Sequence, residues 1–310
     1  MSIFAGCFHS DRKKSFEDPM TSPGKKEKEV IRFTKMHGLG NDYIYIDCMD
    51  RMPESIPALA REMSDRHFGV GGDGIVLICP PAAPGAHFRM RMFNSDGSEA
   101  RMCGNASRCI ARYVHDHIDP SLNPINLDTL SGIKVLSLNM EGEEVVSVTV
   151  DMGEPVFEAS AVPVISGTSE VIDRQVDTPW GSYEVTAVSM GNPHGVIFVP
   201  SIPDLDFDRL GPHLECHPMW PDRANIEFAE VVNPREINMR VWERGTGETL
   251  ACGTGACATA VAAAATGRTG REVVLHLRGG DLGIRWAADN HVYMTGPATE
   301  VFTGTYIRKD

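Results

Sequence analysis

One internal repeat limits the fold of this 310-residue chain more than any other feature. Laying FRMRMFNSDGSEARMCGNA (88–106) over INMRVWERGTGETLACGTG (237–255), an offset of 149, sets Met90 on Met239, Arg91 on Arg240, Glu99 on Glu248, Cys103 on Cys252 and Gly104 on Gly253. A single repeat at about half the chain length predicts two related α/β units facing each other and argues against a solenoid.

From Val30 onward short strands and turns alternate with few helices. VIRFTKMHGLGNDYIYID reads as strand, glycine loop, strand; PALAREMSDRHF and GNASRCIARYVHDH read as helices; GIVLIC, HFRMRMF, IKVLSL and VVSVTVDM read as strands. The second half follows the same style through YEVTAVSM, GVIFV, ANIEFAEVV and INMRVW, a buried alanine-rich helix after Cys252, then VVLHL, GIRWAA and HVYMTG. Residues 1–29 are charged, hold Pro and Gly and show no periodicity, so a disordered extension is expected there.

At 42% hydrophobic and 23% charged, the composition is globular. A formal net charge of −13 argues against nucleic acid and anionic membrane as partners. No apolar run approaches the roughly 20 residues of a membrane span. Eight cysteines, none in a CxxC pair, in a chain of this length without a secretory signal point to reduced cytoplasmic thiols and away from a zinc ribbon.

Cys103 and Cys252 each stand where a helix begins, and Cys252 is followed by a loop almost stripped of side chains, GTG. A lone cysteine there packs as a small hydrophobe. Recurrence at the same helix start in both halves favours a functional pair instead. Helix N-termini carry unpaired N–H groups and partial positive charge, which lower a thiol pKa and hold carboxylates. Two such starts facing one cleft would grip an anionic group from both sides and set a thiol on each face of the neighbouring atom. One thiolate could then remove an α-proton while the opposite thiol delivers a proton to the other face, as a cofactor-independent racemase or epimerase requires.

FTKMHGLGNDYIYID, FNSDGSEARMCGNASRC, MGNPHG, RANIEF, VWERGTGETLACGTGACA and VYMTGPATEVFTG, in this order from about Ile31 to the C-terminus, resemble the diaminopimelate epimerase family. The resemblance implies an α/β (α+β) fold of two pseudo-symmetric domains, each a mostly antiparallel sheet wrapped around a central helix, with the active site in the cleft between them. The expected boundaries are 30–151 and 152–297, with 298–310 returning to the first domain. The implied activity is interconversion of LL- and meso-diaminopimelate, serving lysine and peptidoglycan precursor biosynthesis, with no pyridoxal phosphate, other cofactor or metal. Carried over, Cys103 and Cys252 are the acid/base pair, and Gly104, Asn105, Gly253 and Thr254 hold the reacting carboxylate by their backbone amides. Asn94, Asn225 and Arg244 hold the distal carboxylate, Asn41 and Asn192 are further substrate contacts, and His194 and Glu243 assist the thiols or bind ammonium groups. Members are often homodimers, though no stretch here marks an interface.

Two positions depart from the family: Ala106 stands where Gly is more usual, and Gly74 where many members have a substrate-contacting Gln. Other motifs read blandly. GVGGDG (69–74) matches a dinucleotide fingerprint but follows a helix and precedes a strand, the wrong context. His213, Cys216 and His217, and the pair His115 and His117, read as solvated loop residues. Cys109 and Cys257 read as core packing and Arg108 as a structural ion pair. A proline, hydroxyproline or histidine racemase on the same scaffold is the nearest alternative, and a second carboxylate clamp at Asn94, Asn225 and Arg244 argues against it. The separation of 149 residues argues against a redox pair, and retention of both thiols against a non-catalytic binding protein.

Overall fold

A computed structural model describes residues 29–308. The extension expected over 1–29 lies outside the described residues except for Glu29, whose carboxylate pairs with Arg308 at 3.0 Å. The first half runs β1 (Val30–Gly38), β2 (Asn41–Asp47), α1 (Ile56–Ser64), β3 (Gly74–Cys79), β4 (Phe88–Asn94), β5 (Glu99–Ala100), α2 (Gly104–His117), β6 (Ile125–Thr129), β7 (Gly132–Glu141) and β8 (Glu144–Asp151). The second half runs β9 (Arg174–Thr178), β10 (Gly181–Ser189), β11 (Pro193–Phe198), α3 (Phe207–Glu215), β12 (Asn225–Asn233), β13 (Glu236–Glu243), β14 (Gly247–Glu248), α4 (Gly253–Ala265), β15 (Glu272–Leu277), β16 (Gly280–Trp286) and β17 (Val292–Gly296), and β18 (Thr299–Ile307) closes the chain.

The strand order repeats between the halves. In the first, β18, β1, β2, β3, β4, β6, β7 and β8 pair in sequence across the sheet; in the second, β9, β10, β11, β12, β13, β15, β16 and β17 do the same. All of these pairings are antiparallel except β2–β3 and β4–β6, and their counterparts β11–β12 and β13–β15. Parallel neighbours need a crossover. Helices α1 and α3 supply one crossover in each half, and α2 and α4 the other. The halves meet where β8 pairs antiparallel with β17.

Alternation along the strands sends side chains to two cores. Ile44, Ile46, Ile75 and Leu77 pack outward against Leu59 and Met63 of α1, while Tyr43, Tyr45, Val76 and Ile78 pack inward with Cys109 and Ile110 of α2. In the second half Ile226 and Phe228 pack with Leu210 and Leu214 of α3, and Ala229 turns toward α4. The inner core is continuous across both halves. Helix α4, GTGACATAVAAAA, is apolar on all sides, and a helix of that kind must be surrounded. Ten of its thirteen residues are buried. Each half is thus a mostly antiparallel sheet wrapped around one central helix.

Candidate active site

Strand β4 ends at Asn94, turns through Gly97 into the short β5, and reaches Cys103, the N-cap of α2, in extended backbone (φ −139°). Cys252 caps α4 in the same way (φ −118°) after β13 and β14. The crossover thus places each helix N-terminus beside the C-terminal ends of its strands, where α/β folds expose their backbone donors. The first helical residue is glycine in both halves because the same side chain lies against it. A Cβ on Gly104 would sit 2.6 Å from Met294 Cε, and one on Gly253 would sit 2.9 Å from Met294 Sδ. Asn105 Nδ2 donates to the Ala251 carbonyl (3.3 Å), so the second residue of α2 touches the residue preceding Cys252. The two helix starts flank one methionine at the seam of the sheet.

Around Cys103, the thiol donates to Asn41 Oδ1 (3.4 Å), and Asn105 Nδ2 donates to the same oxygen (3.3 Å). Asn41 Nδ2 donates to Asp73 Oδ2 (2.7 Å). The Asn105 and Ala106 backbone N–H groups reach the sulfur. Helix starts were expected to lower the thiol pKa. Burial instead raises it at Cys103, outweighing the two N–H donors, and the Glu243 carboxylate adds to the rise.

Around Cys252, Gly255 N–H donates to the sulfur (3.4 Å) and the Thr254 hydroxyl lies 3.5 Å from it. Asn192 Nδ2 donates to Thr254 Oγ1 (3.4 Å), and Asn192 Oδ1 faces His194 Nε2 (3.0 Å). His194 Nδ1 pairs with Glu227 Oε1 at 2.7 Å, both side chains fully buried. Glu243 accepts from the Thr249 hydroxyl and lies within hydrogen-bonding reach of Cys252. Burial, then Glu243, then Glu227 raise the Cys252 thiol well above its ordinary range, against the Thr254 and Gly255 donors. Burial likewise raises Glu243, with Glu227 adding to the rise. The lowered pKa expected at this helix start is reversed for the same reason as at Cys103: desolvation of the anion exceeds what the helix end returns.

The structure therefore brings Cys103, Gly104, Asn105 and Asn41 together with Gly253, Thr254, Asn192, His194 and Glu243. The residues expected to clamp the distal carboxylate make other contacts. Asn94 Nδ2 donates to Ser98 Oγ (3.1 Å) at the end of β4. Asn225 is buried and spends its amide internally: Nδ2 donates to the Pro193 carbonyl (2.8 Å), and Oδ1 accepts from Arg244 N–H (3.0 Å). Asn225 thus shapes the turn that carries Arg244. The Arg244 guanidinium is exposed, touches only the Asp222 carbonyl (3.4 Å), and has no carboxylate partner among the described residues.

Several sequence expectations need correction. Arg108 makes no ion pair among the described residues. It is fully buried, donating to the Pro297 carbonyl (3.1 Å) and Asn105 Oδ1 (2.9 Å), with Met294 Sδ at 3.6 Å. Pro297 and Met294 lie far along the chain, beyond the reach of local pattern, and Asn105 is a neighbour on the same helix. His115 and His117 lie in the last turn of α2, not in a loop, and pair with Asp116 (2.8 Å) and Glu300 (2.7 Å). His213 lies in the last turn of α3, edge-on to Trp180, and no group of metal-ligating side chains occurs among the described residues. Two residues were missed. Glu227 reads as an ordinary strand position, its signal being a lone acid inside the apolar run NIEFA. Asp73, inside the discounted GVGGDG stretch, holds Asn41. At Gly74 a Cβ would lie 2.1 Å from the Phe93 carbonyl oxygen, so the β3–β4 spacing here relies on glycine.

Solved structures with this fold include a hydroxyproline epimerase from Agrobacterium vitis (TM-score 0.63, 13% identity, 91% of this chain and 92% of that one) and a Bacillus anthracis phenazine biosynthesis protein of the PhzF family (TM-score 0.65, 14% identity, 90% and 100%). The architecture is therefore the two-domain α/β fold that these proteins share. The sequence model described as diaminopimelate epimerase matches residues 33–158 and 186–301. Diaminopimelate epimerases of Desulfovibrio desulfuricans (53% identity, 89% of this chain, 98% of the relative) and Methanococcus maripaludis strain C6 (50%, 88% and 99%) align over nearly their whole length. The chain belongs to the diaminopimelate epimerase family.

Proposed function

We propose that this protein is an isomerase that interconverts LL- and meso-diaminopimelate by a two-thiol mechanism, a step toward lysine. The observation that carries the mechanism is the pair of helix starts flanking Met294, each opened by a glycine and each capped by a cysteine. The halves on either side of the β8–β17 seam, 30–151 with 298–310 and 152–297, act as two domains closing on substrate. The reacting carboxylate lies between the two N-termini, taking N–H donors from Gly104, Asn105, Gly253 and Thr254. One sulfur, as thiolate, removes the α-proton, and the other delivers a proton to the opposite face. The helix ends stabilise the charge that develops on the carboxylate.

Burial holds both thiols above their ordinary pKa, so a thiolate forms only with help. The substrate supplies it. Its α-ammonium, placed against Glu243 and the His194–Glu227 pair, cancels the negative charge that raises Cys252. The distal carboxylate takes the exposed fork of Arg244 in place of the Asp222 carbonyl, with Asn94 beside it and Asn225 holding the turn. The reduced state of these thiols suits a cytoplasmic enzyme. Incubating purified protein with LL-diaminopimelate under reductant and separating the stereoisomers tests this reading. The expected outcome is conversion to the meso form up to an equilibrium mixture of LL and meso, the same mixture being reached from either isomer. Turnover of proline or hydroxyproline with diaminopimelate untouched would replace it with the alternative racemase.

A further inference from the structure

Four side chains form a directional hydrogen-bonded series beneath Cys103, and the chemistry of its two ends fixes the direction. Arg108 can only donate, so the Asn105 amide must turn its oxygen to it (2.9 Å). The Asn105 NH2 then points away, to Asn41 Oδ1 and the Ala251 carbonyl (3.3 Å each). At the far end the Asp73 carboxylate can only accept, so Asn41 must turn its NH2 to it (2.7 Å). Asp73 is held in turn by Arg66 (2.9 Å) and by the Asp42 N–H (3.1 Å). Both amides are thus oriented from both sides, and the remaining contact of Asn41 Oδ1 is the Cys103 sulfur (3.4 Å).

We propose that Asp73 is a positioning residue: working through Asn41 against the anchor at Arg108, it keeps an amide oxygen turned to Cys103, so that this cysteine holds its proton in the ligand-free protein. An oxygen lone pair accepts from a thiol and repels a thiolate. The inference rests on the two-thiol reading for its role in catalysis, where Cys103 is the proton donor in one direction of the reaction. The other charged or titratable groups acting on Cys103 are Tyr43 and Tyr45 from β2, Glu243 from β13, and Arg108 and Cys109 from its own helix. None of these is altered in the test.

Asp73 lies at a partly exposed edge, its side chain 38% accessible, so it can be replaced without opening the core. The measurement is the pH midpoint of Cys103 alkylation, read by mass on the peptide that carries it. Asp73→Ala removes the carboxylate that holds the Asn41 NH2, while Asn105 keeps the Ala251 carbonyl as an acceptor when Asn41 turns; the Asn41 NH2 can then reach the sulfur, and the midpoint should fall by up to roughly 0.7 unit, the equivalent of one hydrogen bond. Asp73→Asn removes the charge but keeps an acceptor toward Asn41, its own NH2 replacing the oxygen that the exposed Arg66 side chain then releases, and should stay near the wild-type midpoint. In an Asn41→Ala background, Asp73→Ala should no longer move it. Equal shifts in the Ala and Asn variants would mean that charge alone acts, and an unmoved or raised midpoint in Asp73→Ala would mean that Asn41 is not held by Asp73; either result overturns the proposal. Alkylation needs no substrate, so failure here is separable from failure of the epimerase reading, which the stereoisomer assay decides.

Discussion

The two helix starts occupy equivalent places in a duplicated scaffold, yet their surroundings differ. By register, Tyr43 pairs with Gly74 across the parallel β2–β3 edge as His194 pairs with Asn225 across β11–β12, and two residues further on Val76 stands where Glu227 stands. The Cys252 half therefore has a buried, hydrogen-bonded His194–Glu227 pair where the Cys103 half has a tyrosine and a valine. Asn41 turns its oxygen to Cys103; Asn192 turns its NH2 toward Cys252 through Thr254. Duplication set where the two sulfurs stand, and later divergence set the charge around each. An epimerase gains from this difference, because proton transfer needs one thiol ionised while the other keeps its proton.

The contrast can be broken at the third helical position. A Cβ on Gly255 would lie 2.5 Å from Glu227 Oε1 and 3.3 Å from Cys252 Sγ, whereas its counterpart Ala106 already carries a Cβ in the core. Gly255→Ala should therefore displace the Glu227 carboxylate and lower kcat/KM by roughly tenfold or more, as misplacements near a reacting centre do. Ala106→Gly should leave kcat/KM nearly unchanged and cost up to about 1 kcal/mol of stability through lost helix preference. Steady-state kinetics and thermal melts of the two variants separate these outcomes.

A smaller effect is expected at Glu243, which acts on both thiols but ranks first among the charges raising Cys252, whereas at Cys103 the backbone donors outrank it. Glu243→Gln should lower the alkylation midpoint of both cysteines, and that of Cys252 further. An equal shift at both would remove the asymmetry of charge.

The smallest difference between the halves should appear deeper in the helices. Burial pushes Cys109 up to about 11 and Cys257 up to about 12. An unfolded thiol releases its proton near 8.5, so above that pH the unfolded chain loses protons that the folded one retains. The stabilisation is complete below about pH 8.5 and is lost as pH rises through the folded values, at about 1.4 kcal/mol per pH unit for each thiol. Urea midpoints should fall between pH 8 and pH 10, and Cys109→Ala and Cys257→Ala should each flatten that fall to a similar extent.

The repeat made the architecture legible, because strand alternation and the glycine-opened helix recur in both halves and each can be checked against the other. It also exposed the thiols, since a packing cysteine has no reason to recur at a helix start. What lay hidden is what the repeat does not share. Glu227 sits in an alternating strand, and only pairing with β11 shows that it faces His194. Arg108 was misread because a charged side chain near a helix start suggests a carboxylate partner, while its partners are a carbonyl 189 residues away and a neighbouring amide. Asp73 lay in a glycine-rich stretch that looked like a decoy. The thiol pKa values went the other way because a helix end is visible in sequence and desolvation is not.

The central claim is one thiol for each face of the α-carbon. Cys103→Ser and Cys252→Ser keep the shape of each side chain but raise its pKa far above that of a thiol, about 8.5 when free, so the altered group almost never acts as base. Epimerisation should fall by orders of magnitude in both. The remaining sulfur can still remove the proton that points at it and exchange it with solvent. In deuterium oxide, followed by proton NMR on each pure stereoisomer, each variant should exchange the α-proton of one epimer preferentially, and the two variants should choose opposite epimers. Exchange of the same epimer by both, or near-full epimerisation by either, would contradict the account.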